Sequence, residues 1–205
     1  MIDESLINSE YDYFQIEKKV REEISSKKAK FEFLSELIKM LSDKSENEII
    51  NKIILKYVAD QKKINKSLPE LEQELKDLKL FYKSKFPRKN KARKISSEEY
   101  HEQAKKVSET ITMSENLLET SIASDTRYKV VGYELKRLEK MQNNDSDLLE
   151  YIAYLKDLSE KLKISVDVDY RNWINSSYEA QKEIDGLFHI YDRVVKEIDN
   201  PPEPE

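Results

Sequence analysis

The scarcity of glycine and proline is the feature that most constrains what this chain can fold into. Only 2 Gly and 5 Pro occur in 205 residues, and Pro201, Pro202 and Pro204 lie at the very end. Sheet proteins need many tight turns, which glycine and proline build, and proline also breaks helices. The body of the chain therefore lacks the turn residues of a sheet protein and favours long helices.

The composition is typical of helices that each bury one apolar stripe. Hydrophobic and charged residues each make up 38% of the chain, as expected when one helix face is buried and the rest is solvated. We predict an all-α fold, an elongated antiparallel bundle of coiled-coil-like hairpins with about five to seven helices. One elongated domain is expected over residues 1–199, with a subdivision near 143–147 as an alternative. The acidic, proline-rich tail 200–205 is expected to be disordered.

Apolar residues at helical spacing predict a first helix from about Ser5 to Leu41. Asp3 or Ser5 is expected to cap its N-terminus. Lys27 interrupts the apolar stripe of this helix. A charged residue at such a position predicts a weakly packed or solvent-filled middle, or a boundary between two partners along one helix.

A second helix is predicted after the polar turn Ser42–Ser45, with Ser45 and Glu48 at the spacing of a capping box. Pro69 is expected to stop or kink it, because proline has no amide donor and clashes with the preceding turn. The continuation has an uninterrupted 3-4 spacing typical of a coiled-coil seam. Either the same chain or a homodimer could bury this seam, which consists of Leu68, Leu71, Leu75, Leu78 and Tyr82.

A dense basic segment follows at Lys83–Lys94, which reads KSKFPRKNKARK and contains no acid. Pro87 disfavours a continuous helix here, so we predict an exposed loop at the tip of an antiparallel hairpin. Residues 51–100 carry 14 basic against 7 acidic residues, although the whole chain has a net charge of −5. The seven basic residues that we predict to bind a partner or phosphate are Lys83, Lys85, Arg88, Lys89, Lys91, Arg93 and Lys94.

The second half of the chain is predicted to contain further striped helices. A stripe from Tyr100 to Leu118 shifts near residues 124–125, so residues 97–143 form either one helix or two. The polar run 143–147 predicts a break and a cap. A helix from about Leu148 to Leu162 is expected next, then an extended connector over residues 164–169, where apolar and polar residues alternate, and a last helix over residues 170–199.

Three aromatic residues are candidates for contact with a partner. Tyr82 and Phe86 flank the basic segment and could stack on nucleic-acid bases or enter a lipid interface. Trp173 belongs to the aromatic stripe of the last helix, which either anchors a partner or is buried as core. For the basic segment itself, the simpler alternative is a solvated loop.

Several kinds of chemistry are disfavoured by the residues present. The chain has no cysteine and no glycine-rich loop that could cradle a phosphate. Glu98 and His101 have the Glu-x-x-His spacing of carboxylate di-iron bundles, but that site needs two copies. His189 lies one helical turn from Asp185 without a companion nucleophile. We therefore expect no metal, no cofactor and no enzymatic activity.

We predict a non-enzymatic interaction protein, an adaptor, assembly subunit or inhibitor that docks through helical surfaces and the basic tip. Another protein is the expected partner. One alternative is a nucleic-acid-binding accessory factor that uses residues 83–94, and another is a membrane-surface scaffold that binds anionic lipid. The opening residues MIDESLINSEYD have acids where a signal peptide has basic residues, so a cytoplasmic location is expected.

Overall fold

The computed structural model describes residues 7–86, 97–141 and 144–199, and nearly all of them are helical. The four α-helices are α1 (Glu10–Leu41), α2 (Glu48–Lys85), α3 (Glu98–Glu139) and α4 (Ser146–Asp199), and a short 3₁₀ helix (Ser42–Lys44) follows α1. No strand occurs in the described ranges. The all-α prediction is confirmed, whereas the predicted count of five to seven helices is too high.

Pro69 neither stops nor restarts α2, because the helix runs through it from Glu48 to Lys85. The predicted stop was wrong because apolar residues on both sides of the proline are packed against α1. Tertiary packing of one face contributes more to a long helix than a single missing hydrogen bond removes. The helix also continues through Lys83 and Lys85, which were expected to begin the loop.

Two further regions, for which the sequence predicted a connector or left two alternatives, also lie in continuous helices. Residues 164–169, predicted to be an extended connector, lie in the interior of α4. Their valines and isoleucine cost only a few tenths of a kcal/mol each in a helix, and helix already exists on both sides. The region 97–143, left open as one helix or two, forms the single helix α3 over Glu98–Glu139.

The helix starts differ from the predicted caps. Ser9 caps α1 in a reciprocal capping box with Asp12, which places the start later than Ser5. The cap of α2 is Asn47, whose Oδ1 accepts hydrogen bonds from the amides of Ile49 and Ile50. Ser45 was expected in this role. The predicted break near 143–147 is confirmed, since α4 begins at Ser146.

The described residues fall into two compact units, one within Met1–Pro87 and Ile122–Val166, the other within Arg88–Ser121 and Asp167–Glu205. The first unit contains α1, α2 and the adjoining parts of α3 and α4. The second contains the remaining parts of α3 and α4. The single domain expected from the sequence stays a prediction. The tail 200–205 lies outside the described residues.

The first unit has two separate apolar clusters. The larger, the four-helix cluster, contains side chains from all four helices, among them Phe33, Ile53, Val131 and Leu155. The smaller, the two-helix cluster, contains Ile7 and residues of α1 and α2 only. Its buried members are Ile7, Tyr13, Val20, Ile24 and Leu78. The apolar residues of this cluster thus belong to α1, α2 and the segment before α1.

The second unit is an antiparallel pair of helix segments. Gln103 Nε2 donates to the backbone carbonyl of Glu183 at 3.0 Å, and the hydroxyls of Ser114 and Ser177 lie 2.9 Å apart. As residue numbers increase along α3, the numbers of the contacting residues decrease along α4. The two segments are therefore antiparallel. Within the described ranges, none of the helices is both long enough and apolar enough to cross a bilayer.

Candidate interaction surfaces

The basic segment is only partly within the described residues. Lys83 and Lys85 occupy the last turn of α2, and both side chains are exposed. Phe86 caps the helix, with its amide bonded to the carbonyl of Tyr82 at 2.9 Å. The other five basic residues predicted to bind phosphate or a partner lie outside the described residues, and they are Arg88, Lys89, Lys91, Arg93 and Lys94.

The aromatic residues beside the basic segment pack inside the first unit. Tyr82 stacks on Tyr13 with ring centroids 4.3 Å apart, and Phe86 lies 5.4 Å from Tyr82. Lys85 donates to the carbonyl of Ile7, and its ammonium lies 5.1 Å from the centroid of Phe81. Tyr82 and Phe86 therefore contribute to the two-helix cluster and are both half-buried.

Tyr13 is the buried centre of this aromatic group, with 3% of its surface exposed. Burial, followed by the nearby charge of Glu17, raises the pKa of its hydroxyl to about 12. The phenol is therefore neutral across the physiological pH range. Tyr13 therefore contributes packing to this region, and its hydroxyl does not titrate near neutral pH.

An open groove runs along the two-helix cluster, and we name it the α1–α2 groove. It has a volume of about 740 Å³. Leu71 and Phe81 are half-buried in it, and Leu78 is buried beneath them. Its lining residues are Ile7, Lys27, Ser67, Pro69, Glu70, Leu71, Gln73, Glu74, Asp77, Leu78 and Phe81.

Acidic residues form the outer wall of the α1–α2 groove. Glu70, Glu74 and Asp77 follow one another at helical spacing on α2, and all three line the groove. Among the described residues, no cation pairs with them; Asp77 accepts only the side-chain amide of Gln73, at 2.9 Å. An apolar floor beside acids that have no described cationic partner is suited to a partner that is apolar on one side and basic on the other.

Lys27 lies on the α1 side of the same groove. Its ammonium is 3.0 Å from the carboxylate of Glu23 and donates to the hydroxyl of Ser67 at 3.1 Å. In sequence it stands between Ile24 of the two-helix cluster and Phe33 of the four-helix cluster. The interruption of the stripe at Lys27 thus coincides with the boundary between the two clusters.

Trp173 lies in the second unit, half-buried, with its ring 5.5 Å from that of Tyr170 in an edge-on contact. The described residues of α4 that are buried in this unit are Ser176, Ala180 and Val194. Ile174 and Phe188 of the same helix are 43% and 63% exposed. Small side chains thus make up most of the described buried residues of α4 in this unit.

A buried charge network occurs in the first unit and was not predicted from the sequence. Glu134 is 3% exposed. One carboxylate oxygen contacts the ammonium of Lys56, and the other accepts from Arg137 Nε at 2.8 Å. The hydroxyl of Tyr57 donates to the same carboxylate at 3.4 Å and lies 2.8 Å from that of Tyr151.

The two tyrosines of this network stay protonated. Burial is the largest cause that raises the pKa values of Tyr57 and Tyr151 far above the usual value. A cleft of about 460 Å³ lies beside Glu134, lined in part by Asp60, Asp125 and Lys129. Because Glu134 already has two cationic partners, the network serves to balance its buried charge.

The two histidines lie on different helices and are both exposed. His101 is exposed and makes an edge-on contact with Tyr100, and His189 is exposed. The carboxylate of Asp185 accepts the side-chain amide of Gln181 at 2.9 Å. In the part of the chain that the structure describes, no three His, Cys, Asp or Glu side chains are grouped to hold a metal.

The groove acids and Glu134 were both missed by sequence analysis. A signal for the groove was present, since Glu70, Glu74 and Asp77 recur at helical spacing beside the leucine seam. Such a pattern also occurs on any solvated helix face. Glu134 gave no signal, because its burial depends on helices distant in sequence. Comparison with protein-family models, curated proteins and solved structures finds no match for this chain.

Proposed function

We propose that this chain is a non-enzymatic interaction protein that docks to another macromolecule through the α1–α2 groove. One observation carries the proposal. The apolar cluster at this end of the first unit is built from Ile7 and two helices, and half-buried Leu71 and Phe81 line an open groove beside it. Apolar surface that is open and rimmed by polar groups is typical of binding sites.

The leucine seam supports the same proposal. Leu68, Leu71 and Leu75 are each half-buried, although they pack against α1. In the four-helix cluster, by contrast, Ile50, Ile53 and Tyr57 of the same helix are at most 1% exposed. A docked element could remove the remaining apolar surface from water, at about 25 cal/mol per Å².

Site-specific photocrosslinking in the native cell tests the proposal. A photoreactive amino acid replaces Gln73 in the groove or, as a control, Gln181 of the second unit. The two sites are matched, because both are exposed and each donates to an aspartate four residues ahead at 2.9 Å. A defined adduct from position 73 alone supports the proposal. No adduct from position 73, or the same adducts from both positions, would contradict it.

The basic segment favours a second candidate function, binding of nucleic acid. It carries seven basic residues and no acid between positions 83 and 94, the charge pattern that phosphate backbones attract. A gel shift at low salt that disappears when the seven residues are changed to glutamate would support this candidate. Absence of any shift at low salt would remove it.

A further inference from the structure

The charges around the α1–α2 groove indicate what kind of partner it takes. We infer that the groove binds an amphipathic helix whose apolar face is flanked by lysine or arginine. The inference rests on the proposed function and names the partner's chemistry. Its basis is the combination of an apolar floor with an acidic wall that has no described cationic partner.

The acidic wall lies on the α2 side of the groove only. Glu70, Glu74 and Asp77 are spaced by four and three residues, which places them along one line of the helix surface. Their neighbour Glu72 points to α1 instead, where it pairs with Lys28 at 3.0 Å. Within residues 70–81, the three wall acids are thus the carboxylates without a described cationic partner. They can therefore pair with cations of a docked helix.

The apolar floor has the length of a short helix. Leu71, Leu78 and Phe81 line it over eleven residues of α2, and the first and last of these are separated by a rise of about 15 Å along the axis. A helix of about three turns covers that length and can present leucine-like side chains at i, i+3, i+4 and i+7. Helix-in-groove docking requires this combination of a continuous apolar strip and a rim of matching charge.

The same wall would exclude a helix whose apolar face is flanked by acidic residues. An acidic amphipathic helix would place carboxylates beside Glu70, Glu74 and Asp77, and like charges at an interface repel. Lys27 would attract such carboxylates only weakly, because its ammonium is already paired with Glu23 and hydrogen-bonded to Ser67. The groove therefore selects for a basic partner and against an acidic one.

Fluorescence anisotropy of labelled peptides on the full chain tests this inference. The probe is a peptide of about 18 residues, five helical turns, with leucines on one face and lysines elsewhere. One control peptide has every lysine replaced by glutamate, and another has every leucine replaced by serine. We expect the leucine–lysine peptide to bind and both controls to fail. Binding of the glutamate peptide, or equal binding of the serine peptide, contradicts the inference.

Matched charge reversals locate the binding on the protein. Glu70→Lys with Glu74→Lys reverses the wall, and Glu115→Lys with Glu119→Lys makes the same charge change on α3 of the second unit, also four residues apart. The wall variant should weaken binding by roughly tenfold or more, and the control by less than about twofold. Equal loss of binding in both variants would mean that the net charge of the chain, and not the wall itself, controls binding. That result would contradict the inference.

The inference and the proposed function can fail separately. If the leucine–lysine peptide does not bind the native chain, the basic partner is rejected, whereas a Gln73 adduct still supports docking through the groove. If position 73 gives no adduct, the docking proposal is rejected whatever the peptides do. Circular dichroism of each variant confirms that its helix content equals that of the native chain.

Discussion

The side chains of Asn47 and Asp145 cap two different helices and are hydrogen-bonded to each other. Asn47 Oδ1 accepts from two amides of α2, while its Nδ2 donates to both carboxylate oxygens of Asp145, at 3.1 and 3.0 Å. Asp145 Oδ1 in turn accepts from the amide of Leu148 at 3.0 Å, in the first turn of α4. One side-chain pair thus stabilises two helix starts in the first unit.

Replacement of Asn47 by alanine should therefore lower the free energy of unfolding by more than the loss of an ordinary N-cap does. Loss of an N-cap costs about 1 kcal/mol, with an upper range near 2, and the bond to Asp145 is lost as well. We expect the upper end of that range, measured as the free energy of unfolding in urea. Asn51→Ala is the control, an exposed position on the same helix, and it should cause no loss. Equal effects of the two changes would contradict the double cap.

The acid sensitivity of the first unit should depend on Asp145. Its pKa is held below the usual value, chiefly by the Leu148 amide and then by the side chain of Asn47. A carboxyl whose folded pKa is depressed adds stability above its unfolded pKa, about 3.9, and loses it as pH falls through the folded pKa. An NMR titration should therefore show a low Asp145 pKa that rises in Asn47→Ala. An unchanged pKa in that variant would show that Asn47 does not hold the carboxylate.

Much of this architecture follows from the sequence, and the exceptions have physical reasons. The polar runs at 42–45 and 143–147 predict real helix boundaries because their side chains can replace missing backbone partners. Pro69 and residues 164–169 were misjudged because local propensity is weak compared with packing along a long helix. The α1–α2 groove was not predictable from the leucine spacing, since that pattern does not show how many helices will cover a seam.

The buried charge network predicts a large difference between two glutamates of α3. Glu134→Ala leaves Lys56 and Arg137 without their buried partner and should cost about 3 kcal/mol. Glu139→Ala removes an exposed pair, in which Lys156 lies 3.0 Å away, and should cost under about 1 kcal/mol. Urea unfolding of both variants measures the difference. Similar losses would show that Glu134 is not a buried, paired charge.

The proline within α2 should make that helix less stable than it could be. Pro69→Ala restores an amide donor and removes a steric clash, so we expect a gain of about 1 to 3 kcal/mol. Lys66→Ala, at an exposed position one turn earlier, should change the free energy of unfolding by less than about 0.5 kcal/mol. A loss of stability in Pro69→Ala would contradict a continuous helix through this position.

The two glycines should respond differently to alanine. A Cβ at Gly132 would meet nothing within 4 Å, whereas at Gly186 it would lie 3.3 Å from the Gln103 amide nitrogen. Gly132→Ala should therefore gain about 0.5 to 1 kcal/mol, because alanine has the higher helix propensity. Gly186→Ala should gain less or lose stability, since the Gln103 amide is bonded to Glu183 at 2.8 Å. A larger gain at Gly186, measured by thermal unfolding, would contradict this packing.

Hydrogen exchange of the α2 backbone most directly tests docking through the α1–α2 groove. The full chain is compared alone and with the partner recovered by crosslinking from position 73. We expect slower exchange over residues 70–81, the stretch of α2 that contains most of the groove lining, and no change over residues 48–60, which contribute to the four-helix cluster. Slower exchange confined to other helices, with residues 70–81 unchanged, would contradict the proposal that this groove is the docking surface.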